Sequence, residues 1–164
     1  MQTQKLNLFI VDDNKSAGEE LANYLRGKFG NRLKITTFTD GKSCLEEVES
    51  DTHIVILACS PEDKNGLLIL KSIKAANPAT EVVMLAERED IVMAIESFKA
   101  GAKDLVVKES GSEKKISYII RRIVMAPIRI IVKELGLSQR LAMFLLTFVT
   151  VGIVVWVALS IIKH

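Results

Sequence analysis

The sequence predicts an α/β protein in which a doubly wound, five-stranded parallel sheet is followed by one long apolar helix. Two observations lead to this fold class. Five short apolar runs alternate with five amphipathic stretches between residues 5 and 126, a pattern typical of parallel strands covered by helices on both faces of the sheet. Further along, the 22 residues from Leu141 to Ile162 (LAMFLLTFVTVGIVVWVALSII) contain no charged side chain.

Each predicted strand is a short run of apolar or β-branched residues. Runs of this kind, without regular polar alternation, are typical of strands that are buried on both faces. The predicted strands, in chain order, are Leu6–Val11, Leu33–Phe38, Ile54–Leu57, Glu81–Leu85 and Leu105–Val107.

The predicted helices are recognised by apolar residues at helical spacing and by the residues at their ends. Asn77-Pro78 closes the third helix and Gly101 ends the fourth, because both kinds of residue disfavour further helical turns. Ser110, followed three residues later by Glu113, predicts a capping box at the start of the fifth helix. The predicted helices are Lys15–Phe29, Asp40–Glu49, Leu67–Ala76, Asp90–Ala100 and a helix from Ser110 to about Ala126.

The chain after Ala126 is predicted to interrupt or restart its helix at Pro127. The following amphipathic stretch, Ile128–Leu135, is short and ends before Gly136. It would either lie on a membrane surface or continue a helix from the globular part into the bilayer. The sequence therefore predicts a globular domain at residues 1–124, a basic amphipathic juxtamembrane segment at 125–139 and a transmembrane helix at 140–163.

The uncharged run is long enough to cross a bilayer. At about 1.5 Å per residue its helix would span about 33 Å, against a hydrocarbon core of roughly 30 Å. A buried core helix is the alternative, but such a helix usually has a polar face. Residues 111–140 carry seven Lys or Arg against two acidic residues, and only Lys163 follows the run. The positive-inside rule then predicts a tail-anchored, single-pass protein with its N-terminal head in the cytoplasm.

The charge distribution bounds the class of partner. Residues 1–110 contain 14 basic and 18 acidic side chains, which argues against a nucleic-acid-binding surface. The basic excess before the apolar run would either meet anionic lipid or only set the topology. The predicted membrane-surface residues are Arg121, Arg122, Arg129, Lys133 and Arg140.

The predicted functional site lies at the carboxyl ends of the strands. In doubly wound sheets the site is found outside these ends, where the strand order switches. The two cysteines, Cys44 and Cys59, have no metal-site spacing. The residues at the predicted strand ends are Asp12, Asp13, Ala58, Cys59, Ala86, Glu87 and Lys108.

Four stretches, in order and at consistent spacing, carry a resemblance to a known family. They are LFIVDDNKS (8–16), HIVILACSPEDKNGL (53–67), EVVMLAERED (81–90) and GAKDLVVKES (101–110). Residues 5–124 thereby resemble the receiver domain of bacterial response regulators, the CheY-like family. The resemblance implies the sheet described above and a place in bacterial two-component signalling.

Several family positions are altered, and three of them bear on phosphorylation and switching. In the family, an Asp at the end of strand 3 accepts a phosphoryl group from a histidine kinase, and the matching residue here is Ala58. A methyl group has no lone pair with which to attack phosphorus. The family's Thr or Ser at the end of strand 4 corresponds to Ala86, and its strand 5 aromatic residue corresponds to Leu105. The resemblance is therefore to a degenerate receiver, or pseudo-receiver.

Three charged positions of the family site are kept: Asp12, Asp13 and Lys108. By resemblance, the acidic pair would hold Mg²⁺, and the missing carboxylate predicts that any residual binding is weak. The alternative is a purely structural pair, and we expect no cofactor. Without an acceptor, Lys108 lacks its anionic neighbour. An unpaired buried ammonium is costly, so Lys108 is predicted to form a fixed ion pair with Asp12 or Asp13.

The predicted function is that of a non-catalytic, membrane-tethered interaction module that binds a protein partner without phosphorylation. It would be a signalling adaptor or an accessory subunit of a membrane complex, at the bacterial inner membrane. The alternatives are a sensor of anions or small molecules at the vacant acceptor pocket and an atypical phosphoacceptor. Receivers commonly dock partners through helix 4, strand 5 and helix 5. The predicted partner-binding residues are Ile91, Ile95, Phe98, Leu105, Ile116, Ile119 and Ile120.

Overall fold

The centre of the fold is a parallel sheet with the strand order β2-β1-β3-β4-β5. A computed structural model describes residues 5–60 and 65–134, with side-chain environments as far as Met125. Contacts divide the chain after Val124, and the sheet belongs to the first unit. The strands are β1 (Leu6–Val11), β2 (Leu33–Phe38), β3 (Thr52–Cys59), β4 (Glu81–Ala86) and β5 (Asp104–Val107). The predicted fold class of the globular part is confirmed.

The helices begin where short polar side chains can cap them. The side chains of Asn14, Asp40 and Asp90 accept hydrogen bonds from backbone N–H groups in the first turns of α1, α2 and α4, which satisfies donors that the helix itself leaves free. The helices are α1 (Lys15–Phe29), α2 (Gly41–Glu46), α3 (Asn65–Ala76), α4 (Ile91–Lys99) and α5 (Ser112–Glu134).

The core has one half on each face of the sheet. Side chains alternate between the faces along a strand, so Ile54 and Ile56 of β3 pack in one cluster while Val55 and Leu57 pack in the other. The first cluster includes side chains of α1 and α5. The second includes side chains of α2, α3 and α4. Both faces of the central strands are buried, which explains their continuous apolar sequences.

Several predicted boundaries differ from the structure by a few residues, and two of them lie next to the predicted site. β3 continues to Cys59, so Ala58 lies inside the strand and pairs with Leu85 of β4. The predicted capping box at Ser110 is wrong. Gly111 has a φ of 90°, which is not helical, and α5 therefore begins at Ser112. Glycine adopts this conformation without the steric cost of a Cβ atom.

The predicted interruption at Pro127 is also wrong, because the backbone of α5 remains helical as far as Glu134. Proline removes one hydrogen bond to the preceding turn, and a long helix can lose that bond without ending. No helix within residues 5–60 or 65–134 is long and apolar enough to cross a bilayer. The predicted transmembrane helix at 140–163 and Arg140 lie outside the described residues.

Candidate functional site

The carboxyl edge of the sheet brings the predicted site residues together. Val11 of β1 pairs with Leu57 of β3, so the next residues of the two strands, Asp12 and Ala58, are neighbours. Cys59 pairs with Ala86 of β4. The sheet register thus places the acidic pair, the position of Ala58 and the end of β4 at one edge.

Lys108 joins this edge through both its backbone and its side chain. Its backbone N–H donates to the carbonyl of Ala86 at 2.7 Å. Its Nζ lies 2.8 Å from Oδ2 of Asp12, and the two side chains are 27% and 3% exposed. Partial burial strengthens such a pair relative to one in water. The predicted ion pair of Lys108 is confirmed, and the structure selects Asp12 as its partner.

The second oxygen of Asp12 is also occupied. Oδ1 accepts a hydrogen bond from the backbone N–H of Asn14 at 3.0 Å. Oδ1 of Asp13 accepts from the same N–H at 2.9 Å, and the Asp13 side chain is otherwise exposed. Asn14 in turn caps α1 through Ala17. The acidic pair is therefore tied to the N-cap residue of α1, at the end of the helix where the dipole favours negative charge.

Few oxygen atoms of the acidic pair, Asp12 and Asp13, are free to ligate a cation. Hard cations such as Mg²⁺ prefer several oxygen ligands. Asp12 is engaged by Lys108 and Asn14, which leaves Asp13 as the exposed carboxylate of the pair. Within the described ranges, no group of three or more His, Cys, Asp or Glu residues is arranged to hold a metal ion. Weak Mg²⁺ binding stays a prediction.

A cleft of about 360 Å³ opens at this edge beside Ala58 and Lys108. Its described lining includes three acidic residues, Asp13, Asp40 and Glu87. Hydrogen bonds from the backbone and side chain of Ser43 lower the pKa of Asp40, so its carboxylate is ionised at neutral pH. Lys108 also lines the cleft, but its charge is compensated by Asp12. The mouth of the cleft is therefore predominantly negative.

The floor of the cleft is closely packed. A Cβ atom at Gly66, in the first turn of α3, would lie 2.8 Å from Cβ of Cys59, closer than such atoms approach in folded proteins. Cys59 is buried at this position. The other cysteine, Cys44, is buried as well, and its burial raises the pKa of its thiol to about 12. Glycine at position 66 thus lets α3 begin directly against the end of β3. The loop between them, residues 61–64, lies outside the described residues.

Comparison with known proteins decides the family. The model of the response regulator receiver domain matches residues 8–120, which is more than half of the chain. This chain belongs to the receiver domain family. Receiver domains are regulatory rather than catalytic, and they act in two-component signalling.

The similar proteins include transcriptional regulators and solved receivers. CssR of Bacillus subtilis (strain 168) is 27% identical over 101 residues, which are 62% of this chain and 44% of CssR. ZraR of Escherichia coli (strain K12) is 29% identical over 109 residues, 66% of this chain and 24% of ZraR. The chain thus spans less than half the length of these two relatives.

Two solved structures of the response regulator DrrB also match. The BeF3-activated DrrB receiver domain has 26% identity and a TM-score of 0.64, covering 74% of this chain and 98% of that one. The DrrB structure from Thermotoga maritima, an OmpR/PhoB homologue, has 27% identity and a TM-score of 0.63, covering 76% of this chain and 54% of that one.

Three of the predicted partner-binding residues form an exposed stripe on α4 of the receiver. Ile91, Ile95 and Phe98 are 79%, 49% and 51% exposed, and their spacing places them on one side of the helix. Val92, which the sequence analysis did not select, is 67% exposed. The sequence signal that could have identified Val92 was a second apolar residue in the first turn of the helix, after the capping residue Asp90. We call Ile91, Val92, Ile95 and Phe98 the α4 stripe.

The other predicted partner-binding residues are buried or half-buried. Ile116, Ile119 and Ile120 are buried in the cluster that includes α1, so their assignment to a docking surface is wrong. Their spacing is that of the inner face of an amphipathic helix. Leu105 of β5 is partly buried against the other cluster. The exposed residues of α5 are different ones.

Two of the predicted membrane-surface residues, Arg121 and Arg122, are exposed on α5. Cζ of Arg122 lies 6.0 Å from the ring centroid of Tyr118, an exposed side chain that the sequence analysis did not single out. Arg129 and Lys133 lie in the part of α5 that is described only by its backbone.

Proposed function

We propose that this chain is a pseudo-receiver: a non-catalytic, membrane-tethered module that docks another protein without being phosphorylated. The observation that carries the proposal is Ala58, which follows Leu57 of β3 just as Asp12 follows its strand partner Val11. A phosphoryl group needs a nucleophilic oxygen, and the methyl group of alanine offers none. The receiver fold would then serve as a fixed binding surface.

The ion pair of Lys108 and Asp12 supports the same interpretation. In the family, by resemblance, this lysine holds the charged phosphorylated product. Here its Nζ is already bound to a buried carboxylate at 2.8 Å. Ala86 supplies no hydroxyl to sense a new anion at the end of β4. Because Lys108 is already paired with Asp12 in the absence of phosphorylation, the site favours a single conformation over a switch between two.

The α4 stripe supports a protein partner. Its apolar side chains, among them Ile91 and Phe98, are about half exposed or more. A contiguous exposed apolar patch on a soluble domain is typical of an interaction site. We propose that the partner covers this stripe in the cytoplasm.

The membrane tether is supported by the sequence of residues 141–162, which is uncharged and long enough to span a bilayer. The basic excess before it supports a cytoplasmic head at the bacterial inner membrane. A partner that is membrane-embedded or membrane-proximal would meet the head there as a signalling complex or a larger membrane assembly.

The geometry weighs against the alternative functions. An anion at the cleft would lie near three acidic residues, Asp13, Asp40 and Glu87, while the charge of the nearby Lys108 is compensated by Asp12. An atypical phosphoacceptor would need a nucleophile at the cleft, and Ser60 is the lining hydroxyl that follows β3. An unactivated serine hydroxyl is a weak nucleophile.

The absence of phosphorylation is tested with radiolabelled acetyl phosphate and Mg²⁺ on the full-length chain. We expect no stable label, and we expect Ala58→Asp to acquire some. An acid-resistant, base-labile label on the native chain would mean that another side chain accepts phosphate, and it would overturn the proposal.

Docking through the α4 stripe is tested by purification of the tagged chain in mild detergent, followed by mass spectrometry. Two variants are compared: Ile95→Asp with Phe98→Asp on the stripe, and Leu68→Asp on α3, which is equally exposed at 58%. We expect a defined set of proteins to be lost with the stripe variant, to be kept with Leu68→Asp, and to be unaffected by acetyl phosphate. Equal recovery with both variants would contradict docking at this stripe.

A further inference from the structure

The outer face of α5 combines positive charge with an interfacial aromatic residue. Between Ser112 and Met125 the helix buries one side in the core and exposes the opposite side. At 100° per residue the exposed positions occupy an arc of about 120°. The outer face of α5 consists of Lys114, Lys115, Tyr118, Arg121, Arg122 and Met125.

This face contains four cations and no acidic side chain. The one acidic residue between 112 and 125 is Glu113, which is displaced from the arc and lines a small cavity with Glu20 of α1. Lys115 is bonded to Glu109 in the preceding loop, so three of the four cations have no carboxylate partner among the ion pairs of the described part. Residues 1–110 have the opposite sign, with 14 basic against 18 acidic side chains.

Tyr118 and Met125 give the face an apolar component. The Tyr118 ring is 63% exposed and packs under Arg122. Tyrosine is enriched at membrane–water interfaces, because its ring is apolar and its hydroxyl is polar. A charged surface that served solubility alone would not need an exposed aromatic ring and a 41% exposed methionine in its centre.

We propose that the outer face of α5 lies against the surface of an anionic bilayer. This inference rests on the proposed function, since the uncharged run at 141–162 would hold the head near a membrane. Juxtamembrane cations are attracted to anionic lipid within a Debye length of the surface, and an amphipathic tyrosine fits the headgroup layer. The proposal assigns to the lipid a face of α5 on the opposite side of the sheet from α3.

The experiment uses the full-length chain in vesicles and a fluorophore at an introduced cysteine. Tyr118→Cys reports the outer face of α5, and Leu68→Cys reports the exposed side of α3. The natural thiols, Cys44 and Cys59, are buried, so the introduced thiols react selectively, and the unmodified chain measures background labelling. The vesicles contain phosphatidylcholine with or without phosphatidylglycerol, and a nitroxide quencher is attached to the headgroups.

We expect headgroup quenching at position 118 to exceed that at position 68 several-fold in phosphatidylglycerol vesicles. The excess should fall in about 1 M salt, where the Debye length is roughly 3 Å. It should also fall in the variant Arg121→Gln with Arg122→Gln. The matched control, Lys71→Gln with Lys99→Gln, removes two exposed cations from α3 and α4 and should leave it unchanged.

Failure of the inference is distinguishable from failure of the tether. Flotation of the vesicles shows whether the chain is inserted. Insertion with equal quenching at positions 118 and 68 would overturn the lipid-facing role of α5 and leave the tether standing. A chain that does not float with vesicles would contradict the tether, and this inference with it.

Discussion

At the scale of single residues, the contact between Lys108 and Asp12 compensates a buried negative charge at the carboxyl edge of the sheet. Asp12 is almost fully buried, and its two oxygens accept from Lys108 and from the Asn14 backbone. A buried carboxylate with two good partners is stable, whereas one without its cation is costly. Asp12 and Lys108 therefore have a structural role at the carboxyl edge of the sheet.

A double-mutant cycle tests this role. Lys108→Met should lower the free energy of unfolding by about 1–3 kcal/mol, because it leaves the Asp12 carboxylate buried with one partner fewer. Asp12→Asn combined with Lys108→Met should recover part of that loss. The measurement is urea unfolding of the full-length chain in mild detergent. A Lys108→Met variant as stable as the native chain would show that the contact contributes nothing.

Ser97 in α4, in contrast to Asp12, is a buried polar residue whose side chain is not hydrogen-bonded in the described part of the chain. Its side chain is fully buried, and its Oγ has no hydrogen-bond partner in the part of the chain that the structure describes. An unsatisfied buried hydroxyl costs about 1–3 kcal/mol, and alanine is also the better helix former.

We therefore expect Ser97→Ala to raise the free energy of unfolding by about 1 kcal/mol. The matched control is Ser117→Ala on α5, where the hydroxyl donates to the carbonyl of Lys114 and little gain is expected. Thermal unfolding of both variants measures the change in stability relative to the native chain. A loss of stability in Ser97→Ala would mean that the hydroxyl has a partner.

At the scale of secondary-structure elements, two helical glycines differ in what surrounds them. A Cβ atom at Gly66 of α3 would lie 2.8 Å from Cβ of Cys59, whereas at Gly27 of α1 it would meet no atom within 4 Å. The first glycine is required by packing. The second only adds flexibility to the last turn of its helix.

The two Gly→Ala substitutions should therefore have opposite effects. Gly27→Ala should stabilise the chain by about 0.5–1 kcal/mol, since alanine loses less entropy on folding. Gly66→Ala should destabilise it by about 1–3 kcal/mol, because α3 must move away from β3. Thermal unfolding of the two variants provides the comparison. Changes in stability of the same sign in the two variants would contradict the close approach of Gly66 to Cys59.

The cap of α2 gives a pH dependence. Hydrogen bonds from Ser43 lower the pKa of Asp40 in the folded state. A depressed pKa means that the cap stabilises the protein above the unfolded-state pKa, and that this contribution is lost as the pH falls through the folded-state value. In Asp40→Asn the stability should therefore decrease less steeply on acidification. Unfolding curves collected from neutral to acidic pH measure the slope, and identical slopes would argue against the cap.

Much of the element order was predictable, and the failures have physical causes. β1, β2 and α1 have the predicted bounds, because apolar runs and a capping asparagine define them locally. The start of α5 was wrong because a positive φ at Gly111 depends on the path of the loop. The assignment of Ile116 and its neighbours to a docking face transferred a family surface by position, although helical spacing opposite Arg121 already marked them as core.

The site was predictable as a set of residues but not as a set of contacts. Strand ends in a parallel sheet must meet at one edge, which brings Asp12, Ala58 and Lys108 together. The choice of Asp12 over Asp13 as the partner of Lys108 depends on side-chain burial, which the adjacent letters of the sequence do not distinguish.

At the scale of the whole molecule, the receiver surface separates charge and apolar character. The carboxyl edge of the sheet carries Asp13, Asp40 and Glu87, the α4 stripe is apolar, and the outer face of α5 is basic. These three surfaces correspond to a site that we propose is not phosphorylated, a proposed protein contact and a proposed lipid contact. In a switching receiver the state of the site would control whether the α4 stripe is available to a partner. In this chain the fixed ion pair of Lys108 would leave the α4 stripe constantly exposed.

Restoring the acceptor should make the conformation of the α4 stripe depend on what is bound at the site. In Ala58→Asp a carboxylate is introduced beside Asp12 and competes for Lys108, and together with Asp13 it supplies the oxygen ligands that Mg²⁺ requires. BeF3, which activates the DrrB receiver domain, should then bind with Mg²⁺. We expect amide hydrogen exchange in β4, α4 and β5 to change in Ala58→Asp and to stay the same in the native chain.

The control for this experiment is Ala58→Asn, which has the same size but cannot supply an anionic ligand. Because Ala86 lacks a hydroxyl, the response of Ala58→Asp should be smaller than that of a receiver with Thr or Ser at this position. Exchange that changes in the native chain on addition of Mg²⁺ and BeF3 would mean that its site still binds a phosphoryl mimic. The fixed pair of Lys108 and Asp12 would then be one state of a working switch.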